Sequence, residues 1–203
     1  MFNYGSFKLF LLKFGLGTVL ILLALYLSLV LITYSPEDPG IGKLFDRQEI
    51  SNIFGFYGAV TSSIFYEVFG TFSIIITIYF LYAGAILTFG IKKTGLVLKF
   101  FSILFSSILL NLFTSVYKIQ LIKTGFVSDF LYNVLIYYIA DFDYNFLYKH
   151  LTGFVLIVFG VLLLLFGFSI KISLVQNINK KIFKLFLIIF IKPFIFIRIL
   201  FVK

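Results

Sequence analysis

The chain has 203 residues, of which 62% are hydrophobic and only 12% charged, and its mean hydropathy is +1.13. A soluble domain uses about 25% charged residues to cover its surface, so an ordinary water-soluble globule is excluded. Cysteine is absent, which rules out a disulfide framework, a thiolate metal site and a cysteine nucleophile. The net charge of +9 would suit a nucleic-acid binder, but the Lys and Arg residues sit at the ends of apolar runs, where they orient helices in a bilayer and meet anionic headgroups.

Residues 1–13 are short and basic, with Lys8 and Lys13. An uncharged run follows from Phe14 to Tyr34, about 31 Å long as a helix and so close to the hydrocarbon thickness. It is too long for the apolar core of a signal peptide, and TYSPEDP offers no small-x-small cleavage site, so it reads as a retained span. Pro36 and Pro39 are expected to end it, since proline lacks the amide donor and disfavours helix in the residue before it. The loop that follows, to Glu67, carries two basic and five acidic residues. At its end GFYGAVTSSIFYEVFG (55–70) predicts a short amphipathic helix leading into a second span, 68–91.

That second span contains the small cluster Ala83, Gly84 and Ala85, which lets a neighbouring helix approach closely. A turn with Lys92, Lys93 and Lys99 leads to a third span, 100–117. There Ser107, Asn111 and Thr114 recur at helical spacing on one face, a pattern that reads as interhelical hydrogen bonding before it reads as a solute path. The apolar centre of 118–150 (Phe130–Ala140) covers only about 16 Å as a helix, too little to cross. Tyr132, Tyr137, Tyr138, Tyr144 and Tyr148 suit the headgroup zone, so an interfacial or re-entrant hairpin is expected.

The fourth span, 151–170, places Gly153, Gly160 and Gly167 on one face, fit for tight packing inside the bundle or between subunits. The tail from Lys171 has seven basic residues and no acid. Crossing the bilayer would bury Lys192, Pro193 and Arg198, so a helix lying on the inner leaflet is expected. With four spans, 12 Lys and Arg fall on the side of the termini and the 92–99 turn, against five on the other side together with all eight acids. The positive-inside rule then puts both termini in the cytoplasm.

The predicted architecture is an all-α integral membrane protein. It comprises a four-transmembrane-helix bundle over 1–175, with spans near 14–34, 68–91, 100–117 and 151–170, interfacial helices in the outer loops and a basic, amphipathic cytoplasmic tail over 176–203. Within that tail, 182–202 is expected to lie on the membrane rather than span it.

Chemistry is sparse. GIKKTG at 90–95 begins like a phosphate-binding loop, but Leu96 and Val97 stand where Lys and Ser/Thr are required, so it is a charged turn. His150 is a lone imidazole at a span mouth, and the Glu37–Asp38 pair between two prolines reads as a turn. The spans have no ionisable interior residue of the kind proton relays and ion-coupled transport use. No catalytic, cofactor-binding or metal residue is therefore expected. A small-solute permease, or an accessory scaffold subunit of a membrane complex, stands as the alternative on the polar face of the third span.

An apolar helix running into TYSPEDP, then GFYGA, then VFG opening the next span resembles the N-terminal four-transmembrane-helix domain of FtsK/SpoIIIE-type septal DNA translocases. The matching residues are Ser35, Pro36, Asp38, Pro39, Gly55, Gly58, Ala59, Phe69 and Gly70. The resemblance implies a membrane anchor in the bacterial inner membrane, enriched at the division septum, that self-associates and contacts division-site membrane proteins. In that family a linker and a hexameric ATPase motor pump DNA. Neither falls within these 203 residues, so ATP hydrolysis is not assigned to them, and DNA is a partner only through such a motor.

Overall fold

The structure, a computed structural model, describes residues 4–42, 49–119, 123–139 and 146–170. Among these residues six α-helices follow in order: α1 (Tyr4–Ile32), α2 (Gly55–Phe69), α3 (Ser73–Thr88), α4 (Leu96–Tyr117), α5 (Phe126–Tyr138) and α6 (Phe146–Gly167), with a 3₁₀ turn at Gly70–Phe72 joining α2 to α3. No strand occurs among the described residues. Among the described residues four stretches are long and apolar enough to cross a membrane: Lys8–Ile32, Gly55–Thr88, Leu96–Tyr117 and Phe146–Gly167. The all-α, four-span fold expected from the sequence is thus the fold observed. The chain divides into two compact units, Met1–Phe168 and Ser169–Lys203, and the six helices belong to the first. The predicted tail helix, the residues around Tyr144 and the central residues of the acidic loop lie outside the described residues.

Helix boundaries follow local chemistry. α1 stops at Ile32, four residues ahead of Pro36, whose ring would collide with the Ile32 carbonyl if the helix continued. α4 is bounded at both ends by left-handed residues, Gly95 and Lys118. The second crossing departs from the continuous helix 68–91 expected from the sequence. It breaks at Gly70, whose φ of 61° and ψ of −157° favour glycine, and resumes as α3.

α2 also departs from the amphipathic pattern. Its buried residues are Gly58, Ala59, Ser62 and Ser63, while Phe56, Tyr57 and Ile64 point outward. The same inversion holds for the whole bundle. Leu16, Leu22, Phe105, Phe154 and Phe159 are exposed, whereas Ser106, Ser107 and Asn111 are fully buried. In lipid, apolar surface gains nothing by leaving its surroundings, so packing and hydrogen bonding rather than hydrophobic burial select the interior.

Two helix pairs carry most of the packing, α1 with α3 and α4 with α6, and α3 meets α4 between them. The first seam is backbone on backbone. A Cβ added at Gly17 would lie 2.8 Å from the Gly84 carbonyl oxygen, and one at Gly84 would lie 2.8 Å from that of Gly17. In the second seam Gly153 faces the Tyr117 ring, Gly160 faces Leu110 and Gly167 faces Ile103. Ser102 and Ser106 donate across it to the Leu163 and Gly160 carbonyls, each at 2.7 Å. Larger clusters fill the rest, one around Ile76, Tyr79, Ala83 and Ile103 and another around Leu112, Val116 and Leu156.

Candidate functional site

The end of the bundle where α1 stops, α2 starts and α4 stops contains most of the side-chain-to-backbone bonding. Here the chain leaves helical geometry among apolar helices, and each freed backbone group needs a partner. Ser35 to Asp38 form a β-turn closed by the Asp38 amide donating to the Ser35 carbonyl at 3.2 Å. Pro36 occupies the position whose φ suits proline. The Ser35 hydroxyl accepts from the Glu37 amide at 3.3 Å.

The turn aims Asp38 inward, where it is 5% exposed. Its two carboxylate oxygens accept from the amides of Ser51 at 2.8 Å and Asn52 at 3.0 Å, which fastens the far end of the loop to its start. Asn52, 3% exposed, continues the chain of bonds. Its Nδ2 donates to the Val30 carbonyl at 2.9 Å and to the Thr33 carbonyl at 3.4 Å. Those are C-terminal groups of α1 and its exit, which have no helical partner of their own. Its Oδ1 accepts from the Phe54 amide at 3.2 Å. Gly55 turns the chain with φ +59°, and Gly58 lies directly under Asn52, leaving no room for a Cβ. Ala59, 1% exposed, completes the small face.

A second knot forms at Phe69–Gly70. At the Gly70 break the Phe69 carbonyl accepts from Asn111 Nδ2, and the same nitrogen also donates to the Ser107 carbonyl at 3.0 Å. Residues 123–125 pass so close that a Cβ on Gly70 would sit 2.5 Å from the Lys123 carbonyl oxygen and 2.7 Å from the Gly125 nitrogen. The Thr71 amide and hydroxyl both donate to that carbonyl, at 2.9 and 3.1 Å. The Lys123 ammonium donates to Glu67 Oε1 at 2.7 Å and to the Tyr34 hydroxyl at 3.0 Å. Burial by itself would lower the Lys123 pKa; the bonds to Glu67 and Tyr34 and their charge outweigh it and leave the pKa raised.

All nine residues expected from the loop motif therefore lie along this end, and the structure brings together Asp38, Gly58, Ala59, Phe69 and Gly70 through two polar knots. Of the polar stripe on α4, Asn111 reaches another element. Ser107 and Thr114 donate to the Leu104 and Asn111 carbonyls of their own helix. All three are buried, and each donates a hydrogen bond within the protein. Gly153, Gly160 and Gly167 face α4 inside the bundle.

Sequence reasoning missed Asn52, Lys123, Gly125, Gly17, Ser102 and Ser106. A signal existed for the two serines, four residues apart on a helix face that also carries glycine partners; Asn52 had none beyond being a polar residue three positions ahead of Gly55. His150 bonds to the Tyr117 hydroxyl through Nδ1 at 2.9 Å. Among the described residues no three His, Asp or Glu side chains converge to hold a metal ion; the junction's polar side chains hold backbone in place.

The family described as the 4TM region of DNA translocase FtsK/SpoIIIE matches residues 11–180. Neither a curated protein nor a solved structure matches the chain.

Proposed function

Because the chain belongs to the family of the 4TM region of FtsK/SpoIIIE DNA translocases, we propose that this multi-pass membrane domain anchors a translocase at the division septum and self-associates there. The match across residues 11–180 carries the reading. On it, residues 1–175 form the membrane domain in the inner membrane, and 176–203 form a basic tail leading toward the cytoplasmic machinery. Both termini lie in the cytoplasm, consistent with the distribution of Lys and Arg. DNA is contacted indirectly, by a motor outside these 203 residues.

The junction then faces away from the cytoplasm. Its ties hold Ile53, Phe56 and Tyr57, all exposed, on a fixed scaffold suited to the headgroup layer and to division-site membrane proteins. Self-association uses faces other than the α6 glycines, which α4 covers; the exposed Leu and Phe residues of α1 and α6 remain for it.

A fluorescent fusion of the full chain tests the proposal. Signal enriched at mid-cell in dividing cells is the expected result. Uniform membrane fluorescence through the division cycle would overturn septal targeting.

A further inference from the structure

The opposite end of the bundle carries two adjoining cavities that differ in chemistry. One is a groove of about 220 Å³ between α1, α3 and α4, lined by Leu20, Phe80, Ala83, Leu87, Val97 and Phe100 with Tyr79 and Leu96. The one side-chain polar group in that lining, the Tyr79 hydroxyl, donates to the Leu96 carbonyl at 2.5 Å, so the groove presents apolar surface. The other is a recess of about 120 Å³ lined by Lys13, Ile86, Leu87, Gly90, Ile91, Lys92 and Lys93.

Leu87 walls both cavities. Lys13 and Leu20 are seven residues apart on α1, on nearly the same face and about 10 Å apart along the axis. The recess and the groove are therefore stacked along one seam, charge at the helix ends and apolar surface toward the middle.

Three lysines line the recess with no carboxylate among them, and the sequence has no acid between Val68 and Ser128. The turn is shaped by backbone bonds: the Ile91 amide closes on the Ile86 carbonyl at 3.0 Å and the Gly90 amide on Leu87 at 3.3 Å. Lys93 is held by a 2.7 Å bond to the Tyr82 hydroxyl, with its ammonium 5.0 Å from the Tyr82 ring centroid.

We infer that this end of the bundle is a binding site for one anionic phospholipid. The headgroup phosphate lies among Lys13, Lys92 and Lys93, and an acyl chain runs along the groove past Leu87 toward Leu20 and Phe100. Charge complementarity selects the headgroup. The groove is smaller than the ~300–1,000 Å³ of a typical ligand pocket and too small for a helix about 10 Å across, so it takes a single hydrocarbon chain rather than a segment of another copy. Basic pockets between spanning helices hold anionic headgroups by the same physics. The site does not depend on where in the cell the domain resides.

Native mass spectrometry of the full chain in detergent, titrated with dioleoyl phosphatidylglycerol or dioleoyl phosphatidylcholine, tests it. Phosphatidylglycerol should be retained roughly tenfold or more tightly than phosphatidylcholine. The triple variant Lys13→Gln, Lys92→Gln, Lys93→Gln should reduce it to the phosphatidylcholine level. Val97→Trp, at an exposed position at the groove edge, should weaken phosphatidylglycerol several-fold with every lysine intact. Equal binding of the two lipids by the unmodified chain, or full retention of phosphatidylglycerol by the triple variant, would overturn the site. So would displacement of the lipid by millimolar inorganic phosphate, which would mark a site for a free anion. Indifference to Val97→Trp would overturn the acyl groove.

Discussion

The two ends of the bundle solve the problem of turning a chain around in different ways. At the junction end the chain leaves helical geometry after Ile32, at Gly70 and after Tyr117, and the freed backbone groups are met by Asp38, Asn52, Asn111 and Thr71. At the other end α3 and α4 are joined by a short turn closed by its own amides, and Lys13, Lys92 and Lys93 line a recess beside it. Polar side chains are therefore concentrated where backbone would otherwise be orphaned in apolar surroundings, and charge is left exposed where it can meet headgroups. The junction end should be energetically brittle and the lysine end nearly indifferent to substitution.

Asn52→Ala breaks this contrast most directly. It removes the partner of the Val30 and Thr33 carbonyls and of the Phe54 amide in a buried position, at about 1–3 kcal/mol for each group left unsatisfied. A loss of about 3 kcal/mol is expected in a sodium dodecyl sulfate titration of micelle-held protein followed by far-UV circular dichroism. Stability within ~0.5 kcal/mol of the parent would mean that the junction is not held by this residue.

Asn111→Leu comes next. It strips the Phe69 carbonyl of its side-chain donor but leaves the Gly70 turn held by the Thr71–Lys123 bonds, so about 1–2 kcal/mol is expected on the same titration.

Lys123→Met is the smallest of the three. Lys123 and Glu67 remain 39% and 35% exposed, and a pair so open to solvent contributes under ~1 kcal/mol. Its pH dependence has a definite sign. The folded pKa lies above the ordinary 10.5, so the ammonium's contribution is complete below 10.5 and disappears as pH rises through the raised value. Unfolding of the parent and of Lys123→Met should differ by a constant amount from neutral pH to about 10 and converge above it; convergence already at neutral pH would show that the tie contributes nothing. Lys92→Gln on the same titration serves as the comparator from the lysine end, with a change of at most ~0.5 kcal/mol.

Legibility in the sequence followed the range of the interactions. Spans could be counted because hydropathy and length act along the chain. The predicted span 100–117 lies inside α4, and 14–34 runs only two residues past the end of α1 at Ile32. The break at Gly70 was hidden because an uncharged run gives no sign that a helix stops inside it. The groups that meet it lie forty and more residues away, in Asn111 and in the passage of 123–125. The glycine face of α6 could be read as a packing face, but whether its partner would be α4 or another subunit could not.

By itself the sequence determined an all-α membrane protein, four spans and the family, since each rests on composition, run length or short motifs. Tertiary structure alone decided that Gly17 meets Gly84, that Asn52 caps α1 from 22 residues away, and that Lys13 joins Lys92 and Lys93 in one recess. The physical reason is that side-chain bonds to distant backbone and close backbone approaches leave no period in the sequence; they exist only once the helices have found their partners.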